Sequence, residues 1–159
     1  MKILSLLVLL LGLSLPLMAQ VSGGCIDSTR IQFGPSCPIE INPVCGCNNI
    51  TYPNLCYLNA AGVLTYTQEP CEPVYLYTYP TLVTINTITA QVFVKGPPTN
   101  LRIFIMDLYG KIFMNNLYQS LSNQTFSFFV SDLRPGMYLM VAEVNGFLST
   151  NKIVVPEIY

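Results

Sequence analysis

Apolar and polar residues alternate along much of the chain after residue 74, which is the pattern of half-buried β-strands. Turn residues separate the runs, and Asn145-Gly146 is the strongest signal among them for a two-residue hairpin. The runs include Tyr75, Tyr77 and Tyr79; Val83 and Ile85; Val92 and Val94; and residues 101–106. The other turns are Tyr109-Gly110 and Pro135-Gly136. About seven short strands separated in this way predict an all-β, antiparallel, immunoglobulin-like sandwich over residues 74–159.

Residues 25–71 have a different pattern, with few apolar positions and all six cysteines of the chain. Asn54 is a suitable N-cap for a short helix over residues 55–61, which Gly62 can end, and residues 63–67 are predicted to form a strand. Because so little apolar material is available for a core, we expect disulfides to stabilise this region, by about 3 kcal/mol each. The pattern predicts a small disulfide-rich α+β module.

An even, clustered set of cysteines is typical of a disulfide framework in a protein that is exported to an oxidising compartment. A cytosolic metal site is the alternative. The irregular spacing of the cysteines and an export signal at the start of the chain argue against it.

The export signal consists of Lys2, an apolar run over residues 3–13 and a small residue, Ala19. The run is too short to span a bilayer. We therefore predict a signal peptide over residues 1–19 and a mature chain without a transmembrane span. A lipoprotein anchor at Cys25 is the alternative, but position 22 carries a serine where such sites have a large aliphatic residue.

Composition excludes several classes of function. The seven Lys and Arg residues are scattered along the chain, and the net charge is −1, which argues against a nucleic-acid partner. The chain contains no histidine, so Ser-His and Cys-His catalytic pairs and imidazole zinc ligands are excluded. With no nucleophile-base pair and no metal cluster in sight, we expect a protein that is not an enzyme and needs no cofactor or metal.

The stretch from Cys37 to Cys56 contains the segments Pro43-Val44-Cys45-Gly46 and Tyr52-x-Asn54-x-Cys56. In spacing and residue types it resembles the Kazal family of serine protease inhibitors, and the match extends over residues 25–71. This family usually has a cysteine on the helix, near residues 58–60, as the partner of the first cysteine. Here none lies there, and Cys47 is present instead. The disulfides that the resemblance implies are Cys37–Cys56 and Cys45–Cys71. Because of the departure, we pair Cys25 with the one remaining cysteine, Cys47.

The resemblance also implies a reactive-site loop, offered to a serine endopeptidase in the extended shape of a substrate. The loop consists of Pro38, Ile39, Glu40, Ile41 and Asn42. Ile39 is implied as the primary specificity residue and Glu40 as the residue after the scissile bond.

The side chain of Asn54 is implied to hydrogen-bond to loop carbonyls and so to support the loop. A β-branched Ile39 suits neither a trypsin-like pocket lined by a carboxylate nor a deep aromatic slot, so we expect an elastase- or subtilisin-like target. The alternative is a non-inhibitory extracellular binding or structural module on the bacterial surface, because Kazal-like modules also serve in such roles.

Residues 74–159 resemble the carboxy-terminal sorting domain of the type IX secretion system. The segments that carry the resemblance are Tyr79-Pro80-Thr81, residues 105–111, residues 132–139 and residues 152–155. The family usually has Asn-Pro after the opening Tyr-Pro, where this chain has Thr81-Leu82. The resemblance implies export through the periplasm and outer membrane by the type IX machinery, to a secreted or surface-attached location. A plain β-sandwich that packs on the module or binds a partner is the alternative.

Overall fold

The computed structural model describes residues 24–157, so the predicted signal peptide over residues 1–19 lies outside the described residues. Within the described range, no helix has the length and apolar character needed to cross a membrane. The first part of the chain forms a small module built from one α-helix and a three-stranded antiparallel sheet of order β2-β1-β3. Its elements are a 3-10 helix Ser28–Arg30, β1 Val44–Gly46, β2 Thr51–Tyr52, α1 Leu55–Ala60 and β3 Tyr66–Thr67.

The helix α1 begins and ends where the local sequence favours it. The side chain of Asn54 accepts hydrogen bonds from the backbone N–H groups of Cys56 and Tyr57, as an N-cap does. At the other end Gly62 has a φ of +72°, and a Cβ at this position would collide with the carbonyl oxygen of Asp27. The helix is therefore limited to about two turns, one residue shorter than predicted.

The core of the module is very small. Its buried cluster consists of Val44, Leu58 and Val63, with Cys25 and Tyr52 packed against it. Full burial of such a side chain is worth roughly 1.5–3 kcal/mol. Three of them cannot offset the conformational entropy of nearly fifty residues, which costs roughly 1–2 kcal/mol per residue for the backbone alone.

The predicted strand over residues 63–67 is shorter in the structure. Only Tyr66 and Thr67 pair with β1. Val63 instead forms a bridge with Ile26, and the N–H of Leu64 donates to the carbonyl of Cys25. The prediction was wrong here because Val63 and Leu64 pair with the amino-terminal arm and not with β1.

The second part of the chain is a sandwich of seven antiparallel strands in two sheets, as predicted. One sheet has the order β10-β9-β6-β7 and the other β4-β5-β8. The strands are β4 Val74–Tyr79, β5 Thr87–Val94, β6 Thr99–Asp107, β7 Ile112–Leu121, β8 Gln124–Phe129, β9 Gly136–Val144 and β10 Phe147–Val155.

Inward-facing apolar residues of both sheets meet in one core of seventeen buried side chains. Ile88, Leu101, Ile103, Met140 and Ile153 are among those that are completely buried. Alternation along β5, where every second residue is buried, places Ile88 inward, and the buried residues of the other strands belong to the same core. Unlike the module, this part of the chain is stabilised by burial.

Strands β4 and β10 close one side of the sandwich. The N–H of Leu76 donates to the hydroxyl of Ser149 at 2.9 Å, and the amide of Asn151 donates to the carbonyl of Leu76. Polar side chains on β10 thus satisfy backbone groups at the edge of the other sheet.

The strand suggested by Val83 and Ile85 does not form, and the segment between β4 and β5 is a loop. This loop crosses to the other sheet, where the N–H of Val83 donates to the carbonyl of Val154 and the N–H of Val154 donates to that of Thr81. Val83 is buried by this crossing, whereas Ile85 is exposed. Their alternation therefore reflects one anchor residue and not a strand.

Two local features stabilise the β9–β10 half of the sandwich. Asn145 and Gly146 have φ values of 50° and 84°, as the predicted two-residue hairpin turn requires. The hydroxyl of Tyr138 donates to the carbonyl of Arg134 at 2.8 Å, which is the tyrosine-corner geometry of immunoglobulin-like sandwiches.

Candidate functional site

The segment from Pro38 to Asn42 is an exposed loop between the first helical turn of the module and β1. Ile39 is the most exposed of its apolar residues, with 85% of its surface accessible. An aliphatic side chain in water is unfavourable unless a partner covers it, by about 25 cal/mol per Å² of apolar surface. The side chain of Ile39 is therefore accessible to a partner that could cover it.

Disulfides hold both ends of this loop. Cys37, directly before it, is joined to Cys56 on α1, and Cys45, three residues after it, is joined to Cys71. The Cα atoms of these pairs are 5.7 Å and 4.8 Å apart. The two ends of the loop are thus fixed to the helix and to the end of the module.

Asn54 supports the middle of the loop. Its side chain is buried, and its amide nitrogen donates to the carbonyl oxygens of Pro38, at 3.1 Å, and Glu40, at 2.8 Å. The amide oxygen of the same side chain caps α1. One asparagine therefore connects the helix to the peptide units on both sides of Ile39.

A cleft of about 300 Å³ separates the loop from the body of the module. Asn54 spans this cleft, whose lining also includes Pro38, Glu40, Val44 and Gln68. With a cleft behind it, the loop depends on a few supports, and each support matters for its shape.

One support was missed in the sequence. The N–H of Asn42 donates to the carbonyl of Pro53 at 2.8 Å. Because this bond joins two backbone groups that are eleven residues apart, no side-chain type marks it in the sequence.

The third disulfide joins Cys25 to Cys47, the two cysteines that remain when the two family disulfides are assigned. It fixes the amino-terminal arm, which the bond from Asp27 N–H to the carbonyl of Gly62 also holds. The side chain of Asp27 accepts from the N–H and hydroxyl of Thr29, and these bonds hold the pKa of Asp27 below its usual value. The Cys25–Cys47 disulfide lies away from the loop, so it stabilises the module without changing the two disulfides beside the loop.

Among residues 24–157, no group of three His, Cys, Asp or Glu side chains is placed to hold a metal ion.

The four segments that resemble a sorting domain meet at one end of the sandwich. Asp107 pairs with Tyr138, Tyr138 pairs with Ile153, and Val154 bonds to Thr81. The side chain of Asp107 also accepts from the N–H groups of Tyr109 and Lys111 and so shapes the β6–β7 turn. This end, which we call the distal end, lies opposite the start of β4 and hence opposite the module.

The distal end carries exposed apolar side chains. Tyr109 has 97% of its surface accessible, and Leu108 and Met137 are also exposed. They surround a cleft of about 250 Å³ between the β6–β7 turn and the start of β9.

Comparison with protein-family models identifies two domains in this chain. Residues 34–75 match the model described as "Kazal-type serine protease inhibitor domain". Residues 81–156 match the model described as "Secretion system C-terminal sorting domain". Both resemblances found in the sequence are thereby confirmed. No curated protein matches the chain.

Several solved structures are similar to parts of the chain. One is the dimeric latent PorU of Porphyromonas gingivalis, with a TM-score of 0.48 and 15% identity over 84% of this chain. The chain spans only 18% of the length of that protein. A CARDB domain of Pyrococcus furiosus matches in a crystal structure, with a TM-score of 0.37 and 19% identity over 52% of this chain and 86% of that domain.

Proposed function

The chain carries a Kazal-type serine protease inhibitor domain followed by a secretion system C-terminal sorting domain, and we propose that it is an exported inhibitor of a serine endopeptidase. Its sorting domain indicates export, with secretion or attachment to the cell surface. The inhibitory loop in this proposal consists of Pro38, Ile39, Glu40, Ile41 and Asn42.

The observation that carries the proposal is the pair of hydrogen bonds from Asn54 to the carbonyls of Pro38 and Glu40. They fix the peptide units on both sides of the Ile39–Glu40 bond while Ile39 itself projects into solvent. A loop that already has the shape of a bound substrate loses little conformational entropy when a protease binds it. The disulfides Cys37–Cys56 and Cys25–Cys47 each join a residue before the Ile39–Glu40 bond to a residue after it, so the two halves of a cleaved loop stay together and the bond can be resealed.

Ile39 supports a target with a shallow aliphatic specificity pocket, of the elastase or subtilisin kind. A trypsin-like pocket would leave its carboxylate buried without a partner against Ile39, which disfavours binding. A deep aromatic slot would be poorly filled by a β-branched side chain.

The test is a titration of the oxidised chain against elastase-, subtilisin-, chymotrypsin- and trypsin-like enzymes, with Ile39→Lys in parallel. We expect stoichiometric inhibition of an elastase- or subtilisin-like enzyme and a shift toward trypsin-like enzymes for Ile39→Lys. Ile50→Lys is the matched control, because Ile50 is also exposed on the module but lies outside the loop. Rapid digestion of the loop without inhibition, in a protein whose disulfides are formed, would favour the non-inhibitory binding or structural module.

For the sorting domain we propose that the distal end is the surface that the type IX machinery reads. Its four family segments meet there, and Leu108, Tyr109 and Met137 are exposed around a cleft. We expect Leu108→Ser with Tyr109→Ser to leave the folded protein in the periplasm of a host with this machinery, as shown by fractionation and immunoblotting. Leu148→Ser is the control, since Leu148 is equally apolar and exposed but lies toward the opposite end of the sandwich. Normal export of the double variant would contradict this assignment.

A further inference from the structure

The connection between the two domains is short and held at both sides. Cys71 is bonded to Cys45, and only Glu72 and Pro73 separate it from β4. The carbonyl of Pro73 already accepts a hydrogen bond from the N–H of Lys95 at 2.9 Å, which extends the β4–β5 ladder to Pro73. Two extended residues span roughly 7 Å, so the sandwich starts close to the end of the reactive loop.

The loop faces the sandwich on one side of the Ile39–Glu40 bond. Ile41 lies carboxy-terminal to this bond, on the side of the leaving group, which we call the leaving side. It lines a cleft of about 410 Å³ together with residues of the sandwich. These residues are Gln91, Val92 and Phe93 of β5, Asn123 directly before β8, and Gln124 and Thr125 at the start of β8. The leaving side of the loop therefore lies over the sheet β4-β5-β8.

The outer face of this sheet is shielded at the end next to the module. Phe93 is half-buried there, and the side-chain oxygen of Gln91 is removed from solvent without a hydrogen-bond partner among the described residues. Tyr75, on the same face, is also half-buried, and this burial raises its pKa to about 12. At the other end of the face, by contrast, Phe129 is 85% exposed.

The two isoleucines of the loop also differ in their exposure to solvent. Ile39 is almost fully exposed, whereas Ile41, two residues later, is half-buried. A protease that binds a substrate-like loop encloses residues on both sides of the scissile bond, and a cleft of about 410 Å³ has room for a few side chains only. The part of a protease that surrounds the residues after the scissile bond therefore cannot enter this cleft while the two domains keep this arrangement.

We propose that the sandwich obstructs the leaving side of the reactive loop, so that the joined chain is a restrained inhibitor and separation of the two domains raises its affinity. This inference rests on the proposed inhibitory function. It assigns the sandwich a second role, in which it limits inhibition for as long as it remains attached and closely packed.

The test lengthens the connection and keeps both domains in one chain. A flexible segment of about eight Gly and Ser residues between Glu72 and Pro73 adds roughly 15 Å of reach and preserves the hydrogen bond to the Pro73 carbonyl. The control carries the same segment between Thr84 and Ile85, two exposed residues of the loop that connects the end of β4 to β5, at the end of the sandwich away from the module. Two quantities are measured for both variants and the unmodified chain: the inhibition constant for the target protease, and the rate at which excess protease cleaves the Ile39–Glu40 bond.

We expect the lengthened connection to lower the inhibition constant by about tenfold or more, mainly through faster association, since no rearrangement then precedes binding. The control insertion should match the unmodified chain. Equal inhibition constants in all three proteins would overturn the obstruction and leave the inhibitory function intact. If none of the three proteins inhibits, the proposed function fails. The cleavage rate then tests the obstruction by itself. Faster cleavage of the variant with the lengthened connection alone supports the obstruction, and equal cleavage rates of all three proteins overturn it.

Discussion

The two halves of this molecule reach a stable fold by opposite means. The module has three disulfides and a buried cluster of Val44, Leu58 and Val63, whereas the sandwich has no cysteine and a core of seventeen buried residues. A module that buries so little cannot hold an exposed loop in shape by packing, so disulfides, the buried amide of Asn54 and the backbone hydrogen bond from Asn42 to Pro53 do it. The comparison teaches that the supports of the site are few, and that each can be removed separately.

The largest expected effect that separates the two halves is the loss of the disulfides. Loss of a native disulfide from a small domain costs about 2–5 kcal/mol, so replacement of Cys45 and Cys71 by Ala should unfold the module. The sandwich should stay folded. Hydrogen exchange by mass spectrometry should show lost protection in residues 25–71 and full protection in the sandwich strands. Equal loss of protection in both halves would show that they fold as one unit.

A cavity in the sandwich core should have the converse effect. Ile103 is completely buried between the sheets, and Ile103→Ala should destabilise the sandwich by about 2–5 kcal/mol. Thermal unfolding should show a lower midpoint for the sandwich, while inhibition at room temperature should not weaken. Ile85→Ala removes the same atoms from an exposed position and should change stability by less than about 0.5 kcal/mol.

Asn54→Ser tests whether the loop depends on the buried amide. Serine can still cap α1, but it cannot donate to the carbonyls of Pro38 and Glu40. Two hydrogen bonds of about 0.5–1.5 kcal/mol each are lost, so we expect the inhibition constant to rise about tenfold or more while the helix content changes little. The inhibition constant and the circular dichroism of the protein measure the two effects. Asn59→Ser, at an exposed position of the same helix, should inhibit normally.

The smallest expected effect concerns Tyr75 at alkaline pH. Its pKa in the folded protein is about 12, above the ordinary value of 10, because burial disfavours the charged phenolate. The neutral phenol thus stabilises the fold fully below pH 10, and this contribution is lost as the pH rises toward 12. We expect Tyr75→Phe to lose less stability than the unmodified chain between these pH values in denaturant titrations. Tyr109→Phe, at a fully exposed position, should follow the unmodified chain.

Much of each half was predictable because the relevant signals act over short distances. Alternation in β5 and the turn at Asn145-Gly146 predicted the sandwich, since side-chain direction in a strand depends only on neighbouring residues. Asn54 could be assigned two roles from its position, as a helix cap and, through the family resemblance, as a loop support. Its hydrogen bonds correspond to both roles.

The errors fall where a distant part of the chain supplies the partner. Val83 looked like part of a strand, but it is buried because its loop crosses to Val154. Val63 likewise pairs with Ile26 of the amino-terminal arm. A local pattern cannot distinguish a residue that is buried within a strand from one that is buried by a crossing loop.

By itself the sequence determined the two-domain organisation, the location of the cysteines and the residues of the candidate loop. Only the tertiary structure decided which face of the sandwich lies beside the loop, because Ile41 lines one cleft with residues such as Gln91 and Thr125, which are far along the chain. It also decided that the short connection at Pro73 is held by a hydrogen bond from Lys95. Such contacts follow from the shapes of two folded domains and from the length of the chain between them, and neither leaves a local pattern of residues.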